Sequence, residues 1–355
     1  MRYNHLGNTG LIVSELCLGA MTFGKAPGRF AHIAGLGQDE VNALVKQAFD
    51  GGINFIDTAN VYSDGLSEVA TGQALRDVGI KRSDAILATK AYARMGTEVN
   101  AAGSSRKHLM DEIDASLKRL NTDYVDLYQV HGWDPETPVE ETLRALDDIV
   151  RSGRARYVGV SNWSAWMVAK GQGVAVARGL ERIASIQSYY TLVGRDLERE
   201  IVPMMASEGV GLMVWSPLAG GLLSGKYSRT ATGVEGDGRV TKGGGAGGHI
   251  DMDMVYSLID AMRPMAESRG VGIASIALAW LLRRPFVSSV IVGATRPDQL
   301  VQNLTASDVE LTSEDVATLD AVSALKPEYP QWMFVNQWPR RGGASPRRSA
   351  PLPAA

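Results

Sequence analysis

The feature that most constrains this chain is an alternation: short apolar runs of strand length recur eight times, separated by longer amphipathic segments. The runs are Leu16–Gly19, Asn54–Asp57, Ala85–Lys90, Val125–His131, Ala155–Ser161, Ile183–Gln187, Gly211–Ser216 and Val287–Gly293. Helix-like segments between them include Asp39–Asp50, Ser105–Leu120, Val139–Arg151 and Leu197–Ser207, with Ser105 as an N-cap and Gly51 and Gly153 as stops. Strands that alternate with helices build right-handed βαβ units on a parallel sheet. Eight such units are the number that closes a (β/α)8 TIM barrel. The 355 residues exceed the about 250 that such a barrel needs, which leaves room for long loops and a tail. An open doubly wound α/β sheet is the alternative that the alternation alone leaves standing.

Residues 1–333 read as one such domain. It opens on a β-hairpin over residues 3–16, in which Tyr3 to Leu6 and Ile12 to Leu16 flank the turn Gly7-Asn8-Thr9-Gly10. Residues 228–250, rich in Gly, Thr and Ala, read as a mobile loop after the seventh strand. Residues 334–355 read as a C-terminal tail, disordered from 340, where Arg, Pro, Ser and Ala leave almost nothing to bury. A net charge of −3, with Lys and Arg spread along the chain, argues against a nucleic-acid partner. The single Cys17 excludes an intrachain disulfide and fits a reducing compartment. No run of about 20 apolar residues is present, so no membrane partner is expected. Met1-Arg2-Tyr3-Asn4-His5 has no apolar signal core, and the chain reads as cytoplasmic. Nothing in the sequence sets the oligomeric state.

In a barrel of this kind the active site gathers at the C-terminal ends of the strands. The second strand ends in Asp57, with Tyr62 in the loop beyond, the third in Lys90 and the fourth in His131. The fifth ends in Ser161-Asn162, the sixth carries Gln187 and the seventh ends in Trp215-Ser216. One polar strand end is ordinarily a cap or a turn former; a succession of six implies one polar cavity. Asp57, Tyr62, Lys90 and His131 form a coherent acid–base set. A carbonyl that accepts hydride at carbon needs a proton at oxygen, and a tyrosine hydroxyl can supply it, although its reference pKa is about 10. A lysine ammonium nearby favours the phenolate. A partly buried lysine needs a counter-charge, which Asp57 supplies, and His131 can bond the substrate oxygen.

These segments resemble the aldo/keto reductase family. The resemblance lies in Gly52-Ile53-Asn54-Phe55-Ile56-Asp57-Thr58-Ala59 followed by Tyr62, in Ala88-Thr89-Lys90 and in Asp126-Leu127-Tyr128-Gln129-Val130-His131. It continues through Val158-Gly159-Val160-Ser161-Asn162, Gln187, Trp215-Ser216-Pro217-Leu218 and Ile291-Val292-Gly293-Ala294. It implies hydride transfer between a nicotinamide cofactor and a small-molecule carbonyl or alcohol. Tyr62 would be the general acid/base, Lys90 and Asp57 would tune it, and His131 would orient the carbonyl. Ser161, Asn162 and Gln187 would hold the nicotinamide carboxamide, with Trp215 stacked on the ring. Ser216, Leu218, Gly220 and Lys226 would line the pyrophosphate path, and Gly293, Ala294, Arg296, Gln299 and Asn303 would surround the adenosine end. Arg296 opens a helix, and a guanidinium at a helix N-terminus suits a 2′-phosphate, so NADP(H) is favoured over NAD(H).

Other signals are set aside. Gly243 to Gly248 formally satisfies G-x-G-x-x-G, but it neither follows a strand nor opens a helix. The five histidines lack metal-ligand spacing, so no metal is expected. Trp332, Phe334 and Trp338 read either as core plugs beneath the barrel or as part of a segment folded over its mouth. Substrate choice is expected to lie in the loops Ala26–Gln38, Gly132–Thr137 and Thr230–Ile250. Two other functions stay open: a cofactor-sensing regulatory subunit, and a barrel enzyme using Lys90 as a Schiff-base amine.

Overall fold

The computed structural model describes residues 1–25, 35–230, 233–235 and 250–337. Parts of two expected specificity loops (26–34, 231–232 and 236–249), the glycine run 243–248, and the tail from 338, with Trp338, lie outside the described residues.

Tyr3–His5 (β1) and Ile12–Ser14 (β2) form the expected hairpin, paired with Asn4 opposite Val13. Seven barrel strands follow: Leu16–Gly19 (β3), Phe55–Asp57 (β4), Ile86–Ala91 (β5), Val125–Val130 (β6), Ala155–Ser161 (β7), Ile183–Tyr189 (β8) and Gly211–Trp215 (β9). A two-stranded ribbon, Ser228–Thr230 (β10) and Gly233–Glu235 (β11), precedes the eighth, Val287–Val292 (β12). β12 runs parallel to both β9 and β3, and this closes the barrel. The open-sheet alternative is thereby excluded. All eight strands stand where the sequence placed them, with ends shifted by a residue or two.

The helices are Gln38–Asp50 (α1), Leu66–Val78 (α2), Arg106–Leu120 (α3), Val139–Arg151 (α4), Ala165–Arg178 (α5), Leu197–Glu208 (α6), Met252–Arg269 (α7), Ile273–Leu282 (α8), Pro297–Leu304 (α9), Ser313–Val322 (α10) and Gln331–Gln337 (α11). Ser105 caps α3 by accepting the His108 amide at 3.3 Å. Gly153 stops α4 with φ +80°. Gly51 ends α1 at φ −81°, so the left-handed residue there is Gly52, at φ +89°. No single helix among the described residues is long and apolar enough to cross a membrane.

The strands' two-residue period divides the core. Along β6, Tyr128 and Val130 join the large cluster shared with helix residues such as Leu109 and Leu143. Leu127 points into the barrel, where it packs with Cys17, Phe55, Ala88 and Met213. Leu6 and Val13 of the hairpin belong to that inner cluster, and the Asn8 amide donates to Gly209 O at 2.8 Å. The hairpin therefore plugs the N-terminal end, and the C-terminal end is left for chemistry. The plug depends on Gly7. Its φ is +58°, and a Cβ there would stand 2.5 Å from Gly211 N and 2.6 Å from Ala184 O. Gly7→Ala is expected to destabilise the protein by about 1–3 kcal/mol, read as a fall in denaturation midpoint. An unchanged midpoint would disprove the close approach.

Of the C-terminal aromatics, Trp332 and Phe334 are not core plugs. Trp332 is 43% and Phe334 59% exposed. Their segment fastens to the first turn of α6, where Gln331 Nε2 donates to Glu200 Oε1 at 2.7 Å and Arg199 pairs with Glu328 at 3.3 Å. The first turn of a barrel helix adjoins the C-terminal end of the preceding strand, so α11 lies beside the mouth.

Candidate active site

Asp57 is the last residue of β4, Lys90 the penultimate residue of β5, and His131 follows β6 directly. Tyr62 stands in the turn between β4 and α2, where Ser63, Asp64 and Gly65 adopt φ of 50°, 52° and 91°. Non-glycine residues in that region each cost about 1–3 kcal/mol and persist only where their surroundings over-determine them. Here Ser63 Oγ donates to Phe23 O at 2.8 Å, Ser67 Oγ donates to Ala20 O at 2.7 Å, and the Thr58 and Ser67 hydroxyls lie 2.9 Å apart. These bonds hold Tyr62 over the barrel end.

Lys90 has no exposed surface. An ammonium has three N–H donors, and all have partners: Asp57 Oδ2 at 2.6 Å, Thr58 O at 2.8 Å and Tyr62 Oη at 3.3 Å. Burial works against the charge. The Asp57 carboxylate and Tyr62 outweigh it, and the Lys90 pKa stands above its ordinary value. Asp57 spends its other oxygen on two amides, accepting from Gln129 Nε2 at 3.1 Å and Gln187 Nε2 at 3.0 Å. A buried ion pair is tolerable only when its remaining lone pairs and protons are satisfied, as they are here. His131 meets the Tyr62 ring edge-on, with centroids 5.6 Å apart. Cys17 lies deeper in the barrel, and burial pushes its thiol well up, so it is no nucleophile.

A second group joins this set through hydrogen bonds. Asn162 Nδ2 donates to Ser161 Oγ at 3.1 Å, and Ser161 Oγ donates to Gln187 O at 3.1 Å. Trp215 Nε1 donates to Asn162 Oδ1 at 3.0 Å, and the Trp215 ring lies 5.1 Å from that of Tyr189. Asn162 has φ 59°, another strained position at the same end of the barrel.

The remaining candidates continue across neighbouring strands. After β9, Ser216, Ala219, Gly220, Gly221 and Gly225 all have positive φ, a backbone path with little side-chain bulk, and Ser216 Oγ accepts the Gly220 amide at 3.3 Å. Leu218 lies in this path, and Lys226 ends it with its ammonium 5.1 Å from the Tyr227 ring centroid. After β12, which borders β9, Gly293 has open space where a Cβ would be. Thr22 donates to Ala294 O at 3.0 Å, and Asn303, mostly buried, donates to Gly293 O at 3.4 Å. Arg296 is the N-cap of α9 with Pro297 as its first residue, and Gln299 Oε1 accepts the Thr295 amide at 2.9 Å. Arg296 also makes two contacts of 3.0 Å to Asp298, a partner that sequence reading did not anticipate. Small residues, a stacking face, an amide cluster and a helix N-terminus thus follow one another along one rim, and an extended dinucleotide fits that order.

Gln129, which no polar strand end points to, also belongs to this set. The available signal was its parity with Leu127 on the inward face of β6. Of the expected specificity loops, 132–137 is tightly fastened. Asp134 accepts from Ser104 N at 2.8 Å, Thr137 Oγ1 at 2.7 Å and Glu136 N at 3.0 Å, and Trp133 packs on Trp163 with centroids 4.8 Å apart. Although partial burial opposes it, those hydrogen bonds hold the Asp134 carboxyl below the usual range. Among the described residues, no cluster of His, Cys, Asp and Glu could hold a metal ion.

Residues 15–324 match the family model described as the aldo/keto reductase family. The "Probable voltage-gated potassium channel subunit beta" of Oryza sativa subsp. japonica is 39% identical over 334 residues, which cover 92% of this chain and 98% of that protein. Versiconal hemiacetal acetate reductase of Aspergillus parasiticus is 34% identical over 342 residues, 90% of this chain and 96% of that protein. Aldo-keto reductase AMT2 of Alternaria alternata is 35% identical over 341 residues, 90% of each.

Proposed function

The chain belongs to the aldo/keto reductase family, whose members are oxidoreductases, and on that premise we propose that it interconverts an aldehyde or ketone and the corresponding alcohol with NADP(H), Tyr62 serving as general acid and base. The observation that carries this reading is the buried Lys90 ammonium, which donates to both Asp57 and Tyr62. A phenol held against a cation can release a proton and take it back. In reduction, the Tyr62 hydroxyl gives its proton to the carbonyl oxygen as charge develops there, and His131 sets the direction of that oxygen. A nicotinamide held at this rim would supply the hydride for the carbonyl carbon. In oxidation, Tyr62 takes the alcohol proton, and Lys90 stabilises the phenolate that precedes this transfer.

Ser161, Asn162 and Gln187 would hold the carboxamide and Trp215 the ring face. Ser216, Leu218, Gly220 and Lys226 would line the pyrophosphate path, and Gly293, Ala294, Gln299 and Asn303 the adenosine end. Arg296 would take the 2′-phosphate. Its contact with Asp298 is well exposed, and an exposed pair contributes little, so a phosphate can displace it. Arg296→Ala is expected to weaken NADPH binding by roughly tenfold, with NADH barely affected. Fluorescence titration with both cofactors at one ionic strength checks this; an equal fall for both would remove the 2′-phosphate role.

The test of the function is NADPH oxidation against a panel of aldehydes, ketones, sugars and hemiacetal esters, the last because of the name of one relative. A second reading, a cofactor-sensing regulatory subunit, is favoured by the relatives named as channel subunits. It predicts NADPH binding with no turnover across the panel. The Schiff-base reading needs a neutral amine, whereas Lys90 is held as the ammonium, and borohydride with substrate should trap nothing.

A further inference from the structure

We propose that Gln129 is a positioning residue that fixes which way the Gln187 amide points, so that Gln187 offers its Oε1, and not an N–H, to the carboxamide of a bound nicotinamide. The inference rests on the reading of this rim as a nicotinamide site. A side-chain amide has two N–H donors and one carbonyl acceptor. Gln187 Nε2 donates to Asp57 Oδ1 at 3.0 Å and to Gln129 Oε1 at 3.4 Å, so both donors are engaged within the barrel. Among the described residues, none donates to Gln187 Oε1, which remains the atom available to a ligand.

Gln129 is itself held in one orientation. It is fully buried, and its Nε2 donates to the same Asp57 oxygen at 3.1 Å. Turning its amide over would set its oxygen against the carboxylate and its N–H against the N–H of Gln187, two repulsive contacts in place of two bonds. The Asp57 charge thus orients Gln129, and Gln129 and Asp57 together orient Gln187. The barrel makes room for this arrangement at Gly159, which pairs with Gln129 across β6 and β7. A Cβ there would lie 3.3 Å from Gln129 Cγ and 2.6 Å from Ser185 Oγ. The chemical consequence is specificity for a ligand amide. An acceptor at Gln187 binds a carboxamide NH2 but has nothing to bond in an acetyl methyl group.

The experiment titrates wild type and Gln129→Met, an apolar replacement of similar length, with NADP+ and with its acetylpyridine analogue, in which methyl replaces that NH2. Wild type is expected to prefer NADP+ by about two- to tenfold, the worth of one hydrogen bond. In the variant, Gln187 keeps its bond to Asp57 Oδ1 but loses the second anchor that fixes the plane of its amide, so Oε1 is no longer held on the carboxamide and the preference should shrink. A merely structural role would weaken both ligands together and leave their ratio unchanged. Gln129→Asn, which keeps the amide but shortens its reach, is the second variant should Gln129→Met not fold, and the same loss of preference is expected. A folded variant that retains the wild-type ratio overturns the proposal, as does a wild type that binds both ligands equally. A wild type that binds neither overturns the nicotinamide reading as well, so the two failures are distinguishable.

Discussion

Tyr62→Phe should slow turnover by about 10²–10⁴-fold, the usual contribution of a general acid–base group, while NADPH still binds. The substitution keeps the ring, its edge contact with His131 at 5.6 Å and its cation contact with Lys90 at 4.8 Å, and removes only the hydroxyl. The strained turn at Ser63 and Asp64 is held by Ser63 and Ser67, not by the phenol, so the fold should survive. The loss should therefore fall on kcat, with the NADPH dissociation constant close to wild type. Turnover near the wild-type rate would remove Tyr62 from the chemistry.

Lys90→Met should cost both stability and rate. Removing one partner of a buried ion pair typically destabilises by about 3–5 kcal/mol, because the other charge is left buried. Asp57 would keep the amides of Gln129 and Gln187 but lose its contact at 2.6 Å. The expected fall in Tm is roughly 5–15 °C for a domain of this size. The folded pKa of Lys90 lies above its ordinary value of 10.5, so the stability that the Lys90 charge contributes is fully present just below that pH. It is lost only as the pH rises through the higher folded value, and the Tm difference should not shrink between neutral pH and about 9. Tyr62 would also lose the cation that favours its ionised form, so the basic limb of the alcohol-oxidation profile should move to higher pH. An unchanged Tm, limb and rate would break the link between Lys90 and Tyr62.

The alternation of eight strands with helices and the roll of rim residues were legible in the amino-acid pattern, whereas closure of the sheet came from the pairing of β12 with β3 and β9. Eight apolar runs separated by amphipathic segments admit few closed arrangements, and in a parallel barrel every strand ends on the same side. The end of each run was therefore enough to bring Asp57, Lys90, His131, Ser161 and Gln187 to one rim without knowledge of packing. What each rim residue touches emerges only once the strands have closed and the helices have packed around them. Whether a strand residue faces the barrel or the helices depends on closure and register, and that choice turned Gln129 inward beside Gly159, within reach of Asp57. Pairings across long sequence separations, such as Lys90 with Asp57 or Gln187 with Gln129, depend on which strands become neighbours. The exposed positions of Trp332 and Phe334, and the Arg296–Asp298 contact, depend on how surface segments dock after the core has formed. Local pattern encodes which face a segment buries; the partner it meets there is a property of the whole chain.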